Sequence, residues 1–157
     1  MEIIVILHNI RSIHNVGSIF RTSDAAGVSK IYLVGTTPTP LDRFGFPRKD
    51  LAKVALGAEK DIPWEYSGDT LEVIKKLREK DFKIVPLEQD KKSTPYTDIK
   101  KLGLEKIALI LGDEVNGIGQ EILDGSDVIA EIPMSGKKES LNVSVSFGIA
   151  VYDLIQT

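Results

Sequence analysis

Two apolar runs limit what this chain can become. Ile3, Ile4, Val5, Ile6 and Leu7 form one, within 2–8, and Ile107, Ala108, Leu109, Ile110 and Leu111 form the other, within 106–111. A half-buried strand alternates apolar with polar; an unbroken apolar run belongs to a strand covered on both faces, as in a parallel sheet. Weaker strand patterns stand at 30–34, 82–87 and 128–132. Helical spacing fills the intervals. Val16, Ile19, Phe20 and Ala26 share a face of a helix over 16–26 that Gly27 ends. A short helix is expected over 48–57, and Asp69 or Thr70 caps an amphipathic one running to Lys80. Residues 120–123 read as a further short helix, and Trp64 and Tyr66 as packing residues only. Strands alternating with helices predict an α/β fold: one domain over 1–157, a mostly parallel sheet with helices on both faces.

The stretch 130–151 joins these elements to a candidate site. A strand end stops at Pro133, a loop passes Gly136, and Ser140 is the expected N-cap of a helix ending near Ile155. Its β-branched Val143, Val145, Ile149 and Val151 suit a buried helix better than an exposed one. A helix start beside a strand end can hold a polar ligand. In open parallel sheets ligands sit beyond the carboxyl ends of strands. Three polar or glycine-marked loops lie at such ends, 9–15, 112–119 and 133–141.

Composition removes several chemistries. The chain has no cysteine, which excludes disulfides, thiolate catalysis and cysteine-ligated zinc. His8 and His14 lack metal-ligand spacing, so no metal is expected. Neither a complete GxGxxG fingerprint nor a Walker A loop nor a GxSxG elbow occurs. The first seven residues are too short for a signal h-region, and no apolar run reaches membrane-spanning length, so the cytoplasm is the expected compartment. Net charge is −3, but residues 1–53 hold seven Lys and Arg against four Asp and Glu, a net +3, leaving −6 for the rest. A basic first third can bind phosphates locally or simply be a solvated surface.

Three ordered motifs carry a resemblance. Asn15-Val16-Gly17-Ser18-Ile19-Phe20-Arg21-Thr22-Ser23-Asp24-Ala25-Ala26-Gly27 resembles the first motif of the SpoU/TrmH family of SPOUT RNA methyltransferases. Leu111-Gly112-Asp113-Glu114-Val115-Asn116-Gly117-Ile118-Gly119 resembles the second. Ile132-Pro133-Met134, continued by Ser140-Leu141-Asn142-Val143-Ser144-Val145, resembles the third, and 53–59 is also family-like. The resemblance implies S-adenosylmethionine as methyl donor, a ribose 2′-hydroxyl of tRNA or rRNA as acceptor, a homodimer and a trefoil knot. No additional RNA-binding domain of the kind that larger members carry is expected beyond the single domain over 1–157, which leaves RNA choice open.

Carried over residue by residue, the resemblance places Gly112, Ile132 and Leu141 at the cofactor, with Leu87 lining the same slot. Asn15, Arg21, Glu114, Ser140 and Asn142 match the catalytic positions. Each has a plainer reading: Asn15 as an N-cap, Arg21 as an ion-pair partner of Asp24, Glu114 and Asn142 as caps. A guanidinium scarcely loses its proton, so Arg21 suits phosphate holding and alkoxide stabilisation better than base catalysis. A homodimer would use the helices 16–26 and 140–155. Two other classes share the pattern: a flavodoxin-like nucleotide or flavin module, and a non-catalytic RNA-binding member of the same family.

Overall fold

The computed structural model describes residues 1–156. In chain order the elements are β1 (Glu2–His8), α1 (Ile13–Ala26), β2 (Lys30–Val34), α2 (Lys49–Ala55), α3 (Ala58–Asp61), β3 (Trp64–Ser67), α4 (Thr70–Arg78) and β4 (Lys83–Pro86). There follow β5 (Thr94–Pro95), α5 (Tyr96–Ile99), β6 (Lys106–Gly112), α6 (Gln120–Asp124), β7 (Ala130–Glu131) and α7 (Val143–Ile155). Five strands form one sheet in the order β3-β2-β1-β6-β4, every pair parallel. The two apolar runs are its central strands, β1 and β6, paired along their whole length from Glu2 with Lys106 to His8 with Gly112.

Strand alternation divides the core between the two faces. Ile3, Val5 and Leu7 of β1 join Leu109 and Leu111 of β6 against α1, α2 and α7. Ile4 and Ile6 join Ala108 and Ile110 against α4 and α6. The chain leaves β1 towards one face and β6 towards the other. Adjacent strands whose connections part in this way open a crevice at their carboxyl ends.

One expected strand differs, and one strand lies where none is expected. Of 128–132, only Ala130 and Glu131 are a strand, and they pair with Thr94 and Pro95 in a separate two-stranded parallel sheet. The segment runs past the end of β4: Val128 and Asp127 donate to the Ile84 carbonyl, and Glu88 donates to Ala130. Its pairing is divided among three neighbours, so no long ladder forms. Trp64 and Tyr66 are more than packing residues, since they belong to β3, the edge strand beside β2. With Pro63 before it and only four residues, β3 shows too little alternation to be read from sequence. The expected helix over 48–57 breaks at Leu56 and Gly57, both in the left-handed region (φ 53° and 94°), and restarts as α3.

Candidate functional site

The carboxyl ends of β4 and β6 open onto a cleft of about 720 Å³, within the roughly 300–1,000 Å³ of cofactor pockets. Leu87, Gly112, Ile132 and Leu141, the four expected cofactor residues, all line it, together with Glu114, Ser140 and Asn142. Residues from three distant stretches of chain therefore share one cavity; two of the expected loops, 112–119 and 133–141, line it, whereas no residue of 9–15 does and the segment after β4 takes that place.

The loop after β6 is shaped from inside. Asp113, 5% exposed, accepts backbone N–H bonds from Val115 at 2.6 Å and Asn116 at 3.2 Å. Arg11, itself largely in solvent, lies 3.5 Å from the other oxygen of Asp113. The Val115 bond foremost, then the bond from Asn116 and the charge of Arg11, holds this carboxyl below its ordinary range although burial opposes it. The loop doubles back so closely that a Cβ on Gly112 would meet Ile118 Cγ1 at 2.5 Å and the Gly117 carbonyl carbon at 2.7 Å. Glycine is thus required at 112 by the loop itself. Gly117 takes φ 64°, and a side chain there would strike Glu88, whose Oε2 accepts the Ile118 N–H at 3.2 Å. Glu88 is not among the residues expected from sequence; its partner lies 30 residues away, and no local signal marks it.

A chain of side-chain hydrogen bonds joins the three motifs. Asn15 Nδ2 donates to Glu114 Oε1 at 2.9 Å, and Asn142 Nδ2 donates to Asn15 Oδ1 at 3.2 Å. Asn142 Oδ1 accepts from the N–H groups of Ser144 at 2.9 Å and Val145 at 3.4 Å, capping α7. The cap fixes which way each amide points. With Oδ1 of Asn142 committed to backbone donors, its Nδ2 faces Asn15, whose own Nδ2 is left for the carboxylate.

Two expectations about caps are corrected here. Ser140 is not the N-cap of the last helix; Asn142 is, and α7 starts at Val143. Asn142 is held from both sides, by the helix and by Asn15, whereas Ser140 lies two residues earlier on the cleft lining. Asn15 is not an N-cap either. Ser12 caps α1 by accepting the Asn15 N–H at 3.1 Å, leaving the Asn15 side chain, 7% exposed, to link Glu114 and Asn142.

Arg21 stands apart. It is exposed on α1, roughly 9 Å beyond Asn15 along the axis at 1.5 Å per residue. It does not line the cleft, and among the described residues the surface pair with Asp24 does not form. Among the described residues no group of three or more His, Cys, Asp or Glu is placed to hold a metal ion. No helix there is long and apolar enough to cross a membrane.

Every ionisable side chain lining the cleft, among the described residues, is a carboxylate: Glu88, Asp90, Asp113, Glu114 and Glu131. Uncharged polar side chains, among them Gln89, Ser140 and Asn142, apolar side chains and strand-end backbone supply the rest. Such a cavity favours a ligand with an apolar body and positive charge.

The model of the SpoU rRNA Methylase family matches residues 2–152. The chain belongs to that family. The 23S rRNA (guanosine-2′-O-)-methyltransferase RlmB of Escherichia coli (strain K12) is 30% identical over 153 residues, covering 98% of this chain and 59% of that protein. An AdoMet-bound rRNA methyltransferase from Sinorhizobium meliloti shares the fold with a TM-score of 0.86 at 29% identity, over 98% of this chain and 55% of that one. The A. aeolicus TrmH/SpoU tRNA modifying enzyme gives a TM-score of 0.83 at 27% identity, over 98% and 74%. The chain spans 58–59% of the length of such curated relatives. Family and fold are common to all; the members differ in what else they carry.

Proposed function

We infer that this chain is an S-adenosylmethionine-dependent RNA 2′-O-ribose methyltransferase, acting on tRNA or rRNA, cytoplasmic and homodimeric. That every ionisable side chain lining the cleft, among the described residues, is a carboxylate is the observation that carries the reading. When bound, S-adenosylmethionine supplies a methyl group on a cationic sulfur and brings a cationic amino group. Carboxylates at Glu88, Asp90 and Glu114 suit those charges. A flavin or nucleotide phosphate would meet repulsion there, which turns the flavodoxin-like alternative down. Two of the relatives named above, RNA methyltransferases by their names, and the third, a tRNA modifying enzyme by its name, point the same way.

Leu87, Ile132 and Leu141 offer the adenine an apolar slot, and the strand-end backbone at Gly112 offers polar contacts without bulk. Glu114, its Oε1 held by Asn15, is kept at the cleft with Oε2 free for the substrate hydroxyl or the cofactor. Ser140 and Asn142 orient the ribose. The family resemblance gives Arg21, exposed on α1 and outside the cleft lining of its own chain, the task of holding the phosphate beside the target nucleotide and stabilising its oxygen as that gains charge. The ribose hydroxyl would give its proton to a neighbouring acceptor as it receives the methyl group that the bound cofactor would supply. Positioning supplies much of the rate.

The last helix supports assembly. Phe147, Val151 and Leu154 of α7 are buried, while Val145, Ile149 and Tyr152 form a second apolar stripe, 50%, 37% and 41% exposed. A solvated helix would not keep both stripes apolar. Paired with α1, that stripe gives the dimer; a monomer mass by light scattering at micromolar concentration would remove it. The knot that the family resemblance implies is part of the same proposal.

The deciding experiment is transfer of label from S-adenosylmethionine to tRNA and rRNA, followed by nucleoside analysis. Arg21→Ala should lower the single-turnover rate roughly 100- to 1,000-fold with cofactor affinity intact, and Arg21→Lys should rescue little. A near-wild-type rate for Arg21→Ala would take Arg21 out of the mechanism. Cofactor binding without transfer to any RNA would leave a non-catalytic RNA-binding member of the family.

A further inference from the structure

The five phenylalanines divide sharply. Phe20, Phe82 and Phe147 are at most 4% exposed, whereas Phe44 and Phe46 are 69% and 66% exposed. The exposed pair does not sit on a loose segment. Leu41 and Pro47 pair as an antiparallel bridge, and Asp42 N–H donates to the Phe46 carbonyl at 2.8 Å. Asp42 Oδ1 accepts from the N–H groups of Phe44 at 2.8 Å and Phe46 at 3.0 Å. Gly45, at φ 83°, makes the turn that other residues resist.

The hairpin is braced on the elements that lead to the site. The Thr37 hydroxyl, 3% exposed as a residue, donates to the Leu7 carbonyl at 2.9 Å and accepts the Ile10 N–H at 3.0 Å, tying its approach to the end of β1. Beyond it, α2 packs so tightly on α1 that a Cβ on Gly17 would lie 2.9 Å from the Leu51 carbonyl oxygen. α1 carries Asn15 and Arg21.

Charge indicates the occupant. The Arg43 guanidinium lies over the Phe44 ring, 4.7 Å from its centroid. Arg43, Arg48, Lys49 and Lys53 follow one another along the hairpin and α2, and among the described residues none of them is in an ion pair. The nearby acids Asp42 and Asp50 already accept backbone N–H bonds. Exposed rings interleaved with free cations match unpaired nucleobases and their phosphates, since any base can stack on a ring while the cations neutralise the backbone.

We propose that the 41–47 hairpin is a base-stacking platform for unpaired nucleotides of the RNA, with Phe44 and Phe46 as its stacking faces. The proposal rests on the RNA reading above. It is tested with Phe44→Ala, Phe46→Ala, the double variant and Phe44→Trp in the full chain, by RNA binding, methyl transfer and mass. The double variant should raise KM for RNA roughly 10- to 100-fold, the scale of losing stacked bases. Its kcat, cofactor affinity and mass should be unchanged, and Phe44→Trp should keep the wild-type KM. The salt dependence of RNA binding should survive in the phenylalanine variants and fall by about one ion in Arg43→Gln. An unchanged RNA affinity in the double variant overturns the platform. A change in mass in that variant also overturns it, in favour of a contact between two copies. If wild-type protein binds RNA without methylating it and the double variant binds weakly, the enzymatic reading fails and the platform stands. If wild-type protein binds no RNA, both fail.

Discussion

Two loops use the same local device with opposite results. In the loop after β6, Asp113 Oδ1 gathers the N–H groups two and three residues on; in the hairpin after β2, Asp42 Oδ1 gathers those two and four residues on. Each aspartate sets a tight turn by accepting nearby backbone donors. Around Asp113 the fold closes in: Gly112 lies beneath the returning chain, Glu88 holds Ile118, and Glu114 reaches Asn15. Around Asp42 the turn is open, and the two residues that donate to it, Phe44 and Phe46, present phenyl rings to solvent. Local hydrogen bonding decides the shape of a loop. Burial decides how much depends on it, and here it separates a loop that builds the cleft from one that faces outward.

The largest effect is expected at Gly112. Gly112→Val places a side chain against Gly117 backbone that cannot rotate away. Overpacking of this kind costs about 1–3 kcal/mol, and calorimetry should find S-adenosylmethionine affinity lost. Unchanged affinity would mean that the buried loop does not shape the cleft.

Next comes the direct contrast between the two aspartates. Asp113→Ala removes a buried carboxylate that holds the Val115 and Asn116 N–H groups and faces Arg11, a cost of about 1–3 kcal/mol. Asp42→Ala should cost about 0.5–1 kcal/mol, because water can reach the freed donors, and should spare cofactor affinity. Urea unfolding of both variants measures this, and equal losses would break the comparison.

Acid should distinguish the loops too. Asp113 is held below its ordinary value of 3.8, chiefly by the Val115 N–H. The unfolded chain therefore takes up this proton first. The stabilisation is complete above the ordinary carboxyl range and is lost as pH falls through the lowered value. Urea midpoints at pH 5, 4 and 3 should fall less steeply in Asp113→Asn than in wild type; parallel curves would show that another group governs the acid limb. The smallest effect belongs to Arg11→Ala, about 0.5 kcal/mol or less, since Arg11 is 65% exposed and surface pairs contribute little. A loss as large as that of Asp113→Ala would show that the ion pair, and not the backbone bonds, holds the loop.

Much of the cleft was legible because its residues lie at loop positions that the motifs mark. Leu87, Gly112, Glu114, Ile132, Ser140, Leu141 and Asn142 were all named from sequence, and all line one cavity. What stayed hidden were pairings across the chain. Glu88 closes on a loop 30 residues later, and β7 pairs with Thr94 and Pro95 beside the end of β4. Neither has a periodicity to read. Arg21 is legible as a motif residue, yet its place on an exposed helix face gives it no partner among the described residues.

From sequence alone came the parallel sheet, its two central strands and the faces they cover, because side-chain direction along a strand and around a helix is a local periodicity. Ile3, Val5 and Leu7 could only face one way if Ile4 and Ile6 faced the other. The tertiary structure decided which polar residue does which task. Ser140 and Asn142 are both fit to cap a helix, and nothing within a few residues of either separates them. The choice falls to Asn142 because Asn15, 127 residues away, takes its amide, and Asn15 in turn holds Glu114 across 99 residues. Propensity acts over a turn of chain, while these bonds exist only after β1 and β6 have been brought side by side.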